Sequence, residues 1–292
     1  MGLESRLSEH SIIRRFLVFN YQFSINQALL SRNLKVTLIE EDIVWGDKQA
    51  NLAQLQRHLQ NMADDTDLVV LPEQFSTGFM TSDRDQALAL AERNTGDTMH
   101  LLHQLAAQYR VAICGSFLAS TAAQLYNRAF FIEPNGEETF YDKKHLFAFG
   151  GEDKVYNAGR RQAPIVRFRG FNIKLVVCYD LRFPVFCRNV KNNYDILIVV
   201  ANWPRSREYA WRQLLIARAL ENECYVIGAN RCGTDPQGVD YGEGSSIVVD
   251  FKGKIIGQRM TSPIITTELN PAQLVQFREK FPAWRDADEF SL

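Results

Sequence analysis

The sequence predicts a single α/β domain, and three observations lead there. Short apolar runs rich in branched residues recur along the chain, stretches of helical period lie between them, and no repeat, low-complexity tract or Pro/Gly-rich linker divides the pattern. Strand–helix alternation sustained over about 260 residues is what a layered α/β core needs.

The elements follow in order. Residues 1–32 break up any strong periodicity with Arg14, Arg15, Asn20, Tyr21, Gln22 and Ser24, and read as an N-terminal extension, an arm or a stretch before the native start. The domain proper is expected from 33 to 292. Its first strand is Leu34-Lys35-Val36-Thr37-Leu38-Ile39, which alternates as a half-buried strand should. Further strands are expected at 68–71, 111–114, 129–132, 173–177, 196–200 and 225–228. The last three are nearly unbroken apolar runs, the pattern of strands covered on both faces. Helices are expected near 47–62, with Leu52, Leu55 and Leu59 on one face, near 97–109, and over Glu208 to Asn222, with Trp211, Leu214, Leu215 and Ala219 in one stripe. Asn135-Gly136, between Phe130-Phe131-Ile132 and Thr139-Phe140-Tyr141, signals a hairpin, so the sheet is not wholly parallel.

Composition excludes several classes of function. The 292 residues carry 33 Lys plus Arg against 34 Asp plus Glu, a net charge of −1, with no positive excess for a nucleic acid. No apolar run is long enough to cross a bilayer. The five cysteines are odd in number and none is paired as C-x-x-C, so a disulfide or zinc framework is a poor reading and a reducing, cytoplasmic compartment is expected.

A reactive thiol is the first candidate for chemistry. Cys178 stands where the apolar run Lys174-Leu175-Val176-Val177 gives way to Tyr179-Asp180-Leu181-Arg182-Phe183-Pro184, the mouth of a buried strand. Cys114 lies inside an apolar run and Cys187 within an expected helix, both as small hydrophobes, while Cys224 and Cys232 flank a strand. A thiol needs a base or a cation to become a nucleophile. Of His10, His58, His100, His103 and His145, only His145 is well placed, at a strand end. Glu73, after Pro72 at another strand end, is the carboxylate choice; desolvation there would raise its pKa toward that of a general base. Lys143 is a candidate cation for the thiol and a later oxyanion. The bland alternatives are a solvated acid and a surface lysine.

Leu71-Pro72-Glu73, Tyr141-Asp142-Lys143-Lys144-His145-Leu146-Phe147 and Val177-Cys178-Tyr179-Asp180-Leu181-Arg182-Phe183-Pro184 resemble, in order and separation, the three signature regions of the nitrilase superfamily of carbon–nitrogen hydrolases. The resemblance covers roughly 34–292. It implies Glu73 as general base, Lys143 rather than Lys144 as oxyanion stabiliser, Cys178 as nucleophile, Glu152 as a second acid that positions Lys143, and the Tyr179 backbone N–H as an oxyanion donor. It also implies a four-layer α-β-β-α sandwich, a homodimer with sheets stacked across the interface, a small-molecule amide as the partner, and no cofactor or metal.

Glu73-Gln74-Phe75-Ser76-Thr77-Gly78-Phe79, Ala201-Asn202-Trp203-Pro204 and the tail from Arg278 to Phe290 look like the bacterial omega-amidase branch, which hydrolyses the terminal amide of 2-oxo acids such as 2-oxoglutaramate and 2-oxosuccinamate. The extension at 1–32 departs from that pattern. A substrate of that kind carries a carboxylate. Arg182 is a candidate anchor for it, with pairing to a buried acid as the equal alternative. Phe79, Phe147 and Trp203 are candidate pocket walls, with a core role as the alternative. Phe281, Trp284 and Phe290, set among charges, fit a segment that docks on the fold or on a partner subunit. A carbamoylase or aliphatic amidase on the same machinery is the nearest rival, and a non-catalytic scaffold or partner-binding protein is the rival of a different class.

Overall fold

The computed structural model describes residues 32–288 apart from Ala123. The expected extension therefore lies outside the described residues except for Arg32, as does Phe290. In chain order the first half gives β1 (Leu34–Ile39), α1 (Lys48–Gln60), β2 (Leu68–Val70), α2 (Arg84–Leu90), α3 (Asp97–Tyr109), β3 (Ala112–Thr121), β4 (Gln124–Ile132) and β5 (Glu138–Asp142). A single turn, α4 (Glu152–Val155), leads into β6 (Ile165–Phe168), β7 (Phe171–Val177), α5 (Pro184–Cys187), β8 (Ile196–Ala201), α6 (Glu208–Asn222) and β9 (Tyr225–Asn230). The ribbon β10 (Gly233–Thr234) and β11 (Asp240–Gly242), then β12 (Ile247–Val249), β13 (Ile255–Gln258), β14 (Ile264–Leu269) and α7 (Pro271–Lys280) complete the chain.

Two six-stranded sheets result, in the orders β14-β1-β2-β3-β4-β5 and β6-β7-β8-β9-β12-β13. Both follow one pattern: an antiparallel edge, two parallel pairings, then two antiparallel ones. The sequence carries no repeat to announce this. The symmetry lies in the pairing, not in the residues.

Period-two alternation builds the layers. Val36, Leu38, Val70, Cys114, Ala129 and Phe131 from the first sheet share a core with Ile173, Leu175 and Val177 from the second. The intervening residues Ile39, Val69, Ile113, Phe130 and Ile132 turn the other way, onto Leu55 and Leu59 of α1 and Met99 and Leu102 of α3. On the far side, Trp211, Leu215 and Ala219 of α6 pack on the second sheet. The result is the expected α-β-β-α sandwich. Each such buried aliphatic side chain contributes roughly 1.5–3 kcal/mol. The Asn135-Gly136 hairpin joins β4 to β5 in antiparallel register, with Ile132 opposite Glu138.

Two expectations need adjusting. Leu214 is only half-buried, while Arg218 is buried on that helix and donates to the Leu181 carbonyl at 2.8 Å. In the C-terminal tail, Phe281 is 59% exposed. Within the chain the segment is tied down by Arg278, which reaches Asp195 at 2.6 Å and the Tyr194 and Glu223 carbonyls at 2.8 Å each.

Glu41, in the turn after β1, is buried with both carboxylate oxygens lacking a hydrogen-bond partner, and His58 Nε2 stands 3.7 Å away. Burial pushes its carboxyl from the ordinary 4.5 up to about 8, against the pull of Arg57 and Arg231. The folded chain thus holds this proton more tightly than the unfolded chain, so the stabilisation is full below pH 4.5 and is lost as pH rises through about 8. Thermal melts should show Tm declining from pH 5 to pH 9, with Glu41→Gln removing part of the decline; equal slopes would mean Glu41 ionises in the fold without cost.

Candidate active site

Four strands end where the candidate chemistry begins. Glu73 follows β2, Lys143 follows β5, Cys178 follows β7 and Asn202 follows β8. Parallel strands in open α/β sheets leave reactive groups at their carboxyl ends, and here the two sheets deliver theirs to one place.

Lys143 is the hub. Its ammonium lies 2.9 Å from Glu73 Oε1 and 2.9 Å from each oxygen of Glu152, with all three side chains fully buried. Burial opposes the charged ammonium, but Glu152 and then Glu73 outweigh it and hold the lysine pKa well above its usual value. Burial likewise raises Glu152, with Lys143 pulling it back and Glu73 adding to the rise. A buried charge set of this kind is costly, and deleting one member leaves the others uncompensated.

Most of the remaining lone pairs are committed. Asn127, in the middle of β4, donates to Glu73 Oε1 at 2.6 Å and to Glu152 Oε1 at 3.2 Å, and accepts from Ser116 Oγ at 2.9 Å. The Asn202 backbone N–H reaches Glu73 Oε2 at 2.7 Å, while its side-chain amide holds the Glu73 carbonyl at 2.7 Å. The Phe147 N–H donates to Glu152 Oε2 at 2.6 Å. Gly159 lets a neighbouring loop press on the lysine strand: its N–H donates to the Lys143 carbonyl at 2.8 Å, and a Cβ there would lie 1.9 Å from the Asp142 carbonyl oxygen.

Cys178 opens a helical turn, Cys178–Arg182, in a left-handed backbone conformation with φ of 46°. A non-glycine residue there stores about 1–3 kcal/mol of strain, and such a strand-to-helix turn lifts a nucleophile out of the sheet. At the start of the turn the Tyr179 N–H has no partner within the helix, as an oxyanion donor requires. The buried Asp180 fixes the turn. It accepts from the Val177 N–H at 3.1 Å, the His145 N–H at 3.0 Å and the Tyr141 hydroxyl at 2.9 Å. Because Tyr141 and His145 flank Lys143, this carboxylate locks the lysine segment to the nucleophile turn.

That contact decides the role of His145. Its Nδ1 pairs with Asp180 Oδ1 at 2.7 Å and its ring stacks on Phe183 at 3.8 Å, so it orients the turn and is no base for the thiol. The thiol itself is pushed well above its ordinary pKa by burial and then by the Glu73 charge, with Lys143 pulling the other way. Burial and the Glu73 charge both favour the protonated thiol over a preformed thiolate.

A cavity of about 330 Å³ opens on Cys178. Lys143, Tyr179, Arg182, Phe79, Phe147 and Trp203 all line it, so Phe79 and Phe147 are walls and Trp203 is both wall and core, packed on Trp211, while Glu73 and Glu152 stand behind Lys143. Arg182 stacks over Trp203 at 4.8 Å. Among the described residues no carboxylate lies within 4.0 Å of Arg182, which removes the paired-acid alternative. The other four cysteines are buried. Sequence reasoning missed Asn127, Asn202 as a Glu73 ligand, Asp180, Gly159 and Arg207. Of these, Asp180 and Asn202 stood inside motifs already quoted, while the others carry no local signal.

Fold and site together define a class. Residues 35–279 match the carbon–nitrogen hydrolase family, and the chain belongs to that family. Its relatives are specific. Omega-amidase YafV of Escherichia coli is 42% identical over 261 residues, covering 89% of this chain and 98% of that protein. The 2-oxoglutaramate amidase of Bacillus subtilis is 27% identical, covering 86% of this chain and 96% of that one. A carbon–nitrogen hydrolase superfamily protein of Xanthomonas campestris, crystallised with an arsenic adduct in its active site, superposes with a TM-score of 0.84 at 39% identity, covering 89% of this chain and 99% of that chain.

Iodoacetamide should modify Cys178 before Cys114, with a rate that climbs through pH 9 without a plateau. Replacing Glu73 by Gln removes a negative neighbour, lowers the thiol pKa and should speed this alkylation. Mass spectrometry of timed digests reads both effects; a slower reaction in the Gln variant would mean Glu73 already assists the resting thiol.

Proposed function

We propose that this chain hydrolyses the terminal amide of 2-oxo acid monoamides such as 2-oxoglutaramate and 2-oxosuccinamate, releasing ammonia and a 2-oxo dicarboxylate. The observation that carries the reading is the cavity that Cys178, Lys143 and Arg182 line together, with Glu73 and Glu152 held behind Lys143 and no carboxylate within 4.0 Å of the Arg182 guanidinium among the described residues. The identity with the two amidase relatives supports it.

In the proposed cycle Glu73 takes the thiol proton as the Cys178 sulfur attacks the amide carbonyl. The carbonyl oxygen gains negative charge and is held by Lys143 and the Tyr179 N–H. The ammonium has three N–H donors; with one on Glu73 and one shared by the two Glu152 oxygens, the third is left for the oxyanion. As the tetrahedral species collapses, the carbon–nitrogen bond breaks and Glu73 protonates the departing ammonia. A thioester remains. Water, deprotonated by Glu73, adds to it; the carbon–sulfur bond breaks, the acid leaves and the thiol is restored. Splitting one difficult hydrolysis into two easier steps is the gain from a covalent intermediate. Arg182 grips the substrate carboxylate from its seat on Trp203.

The exposed apolar residues, Val185, Val190 and Leu220 among them, are compatible with the homodimer the family resemblance implies, and five unpaired thiols support a reducing, cytoplasmic setting. Ammonia release should be measured across 2-oxoglutaramate, 2-oxosuccinamate, N-carbamoyl amino acids, uncharged amides and nitriles, with the 2-oxo amides expected as best substrates. Cys178→Ala and Glu73→Gln should each lose at least roughly a thousandfold in kcat, as removal of a nucleophile or its base does. Faster turnover of carbamoyl amino acids than of any 2-oxo amide would replace this assignment with a carbamoylase.

A further inference from the structure

Three arginines lie within eight residues on the loop and helix that follow β8. Arg205 pairs with Asp240 at 3.6 Å and Arg212 with Glu208 at 4.0 Å. Arg207, between them, lines the cavity and has no carboxylate within 4.0 Å among the described residues. Its guanidinium stacks 5.2 Å over the ring of Phe147, the residue whose N–H is tied to Glu152. Asp235 lines the same cavity, but its oxygens are occupied by the Gln237 and Val239 N–H groups and the Tyr241 hydroxyl, at 2.9 to 3.0 Å.

The two guanidiniums in the cavity are coupled through one indole. Trp203 carries Arg182 on its face and donates its Nε1–H to the Arg207 carbonyl at 2.9 Å. Its backbone N–H is held by Asn230 Oδ1 at 2.7 Å. The residue before it, Asn202, holds Glu73. One rigid loop therefore sets both cations relative to the proposed base.

We propose that Arg207 is a specificity-determining residue, which together with Arg182 forms a two-guanidinium clamp for the carboxylate end of the substrate. This deepens the amidase reading and rests on it. A single guanidinium matches one carboxylate edge. Two forks in one mostly apolar cavity also reach the adjacent 2-oxo oxygen, so the pair selects an oxo acid over a neutral chain of equal length. Planar stacking holds each fork in place while leaving its N–H groups free, which a lysine cannot reproduce.

Two measurements test the clamp. The first is the ratio of kcat/KM for glutaramate to that for the uncharged pentanamide, in wild type, Arg207→Met and Arg207→Lys. The Met variant should lower the ratio by about tenfold or more, through KM of the charged substrate rather than kcat, with Lys intermediate. The second is the equilibrium affinity for 2-oxoglutarate in the Cys178→Ala background, with and without Arg207→Met. It should weaken about tenfold when the guanidinium is removed. An unchanged ratio together with unchanged 2-oxoglutarate affinity overturns the clamp. If wild type shows no preference for charged amides yet 2-oxoglutarate binding still depends on Arg207, the amidase reading fails while the anion clamp stands.

Discussion

Everything near the cavity is arranged around one buried ammonium. Lys143 sits among Glu73 and Glu152 at hydrogen-bond distance with no solvent contact. Placing a cation and two carboxylates out of water is expensive, and the expense is recovered only if geometry is tight and every remaining lone pair is occupied. Asn127, Asn202 and the Phe147 N–H meet most of that demand and leave one position on Glu73 Oε2 open. Because these partners come from β4, the end of β8 and the loop before α4, the hub forms only when both sheets and their connecting loops are in place. The site and the fold are one structure.

The sandwich supplies what this hub requires. Two sheets with one pairing pattern face each other, and their parallel strands end on one side. The first sheet brings the acid and the lysine, and the second brings the thiol and Asn202. Asp180 then spans the seam, holding the nucleophile turn and the residues on either side of Lys143. In the proposed cycle a thiol whose pKa is pushed up needs a base at the moment of attack, and the same desolvation that raises it would strengthen the electrostatic hold on a developing oxyanion.

The cavity extends that logic to recognition. Lys143 spends two of its three donors on its own carboxylates, whereas Arg182 and Arg207, each seated on an aromatic wall, have no carboxylate within 4.0 Å among the described residues and are the cations proposed to meet the substrate carboxylate. Guanidinium stacks well because it is planar and weakly hydrated, and keeps its edge donors available. The walls that the sequence offered only as candidate pocket residues thus have a second task, which is to carry charge into an apolar site.

The α/β class, the first strand, the long helices and the hairpin were legible because period and turn chemistry are local. So were Glu73, Lys143, Cys178 and Glu152, since each sits in a short stretch whose residue types resemble a known motif. The strands β6 and β10 to β13 were not read, being too short to show a period, and the edge strand β14 was not read either because its Ile264-Ile265-Thr266-Thr267-Glu268-Leu269 run carries no clean alternation. The repeated sheet pattern was equally invisible, because equivalent pairing does not require equivalent residues. Asn127 and Gly159 look like ordinary strand and loop residues; their importance comes from partners far away in the chain. His145 and Arg182 show the limit most clearly. As residue types each could act on a substrate or serve the scaffold. Only the position of Asp180 on one, and the lack of any acid beside the other, decided between the two, because a side chain's role depends on what folding places against it.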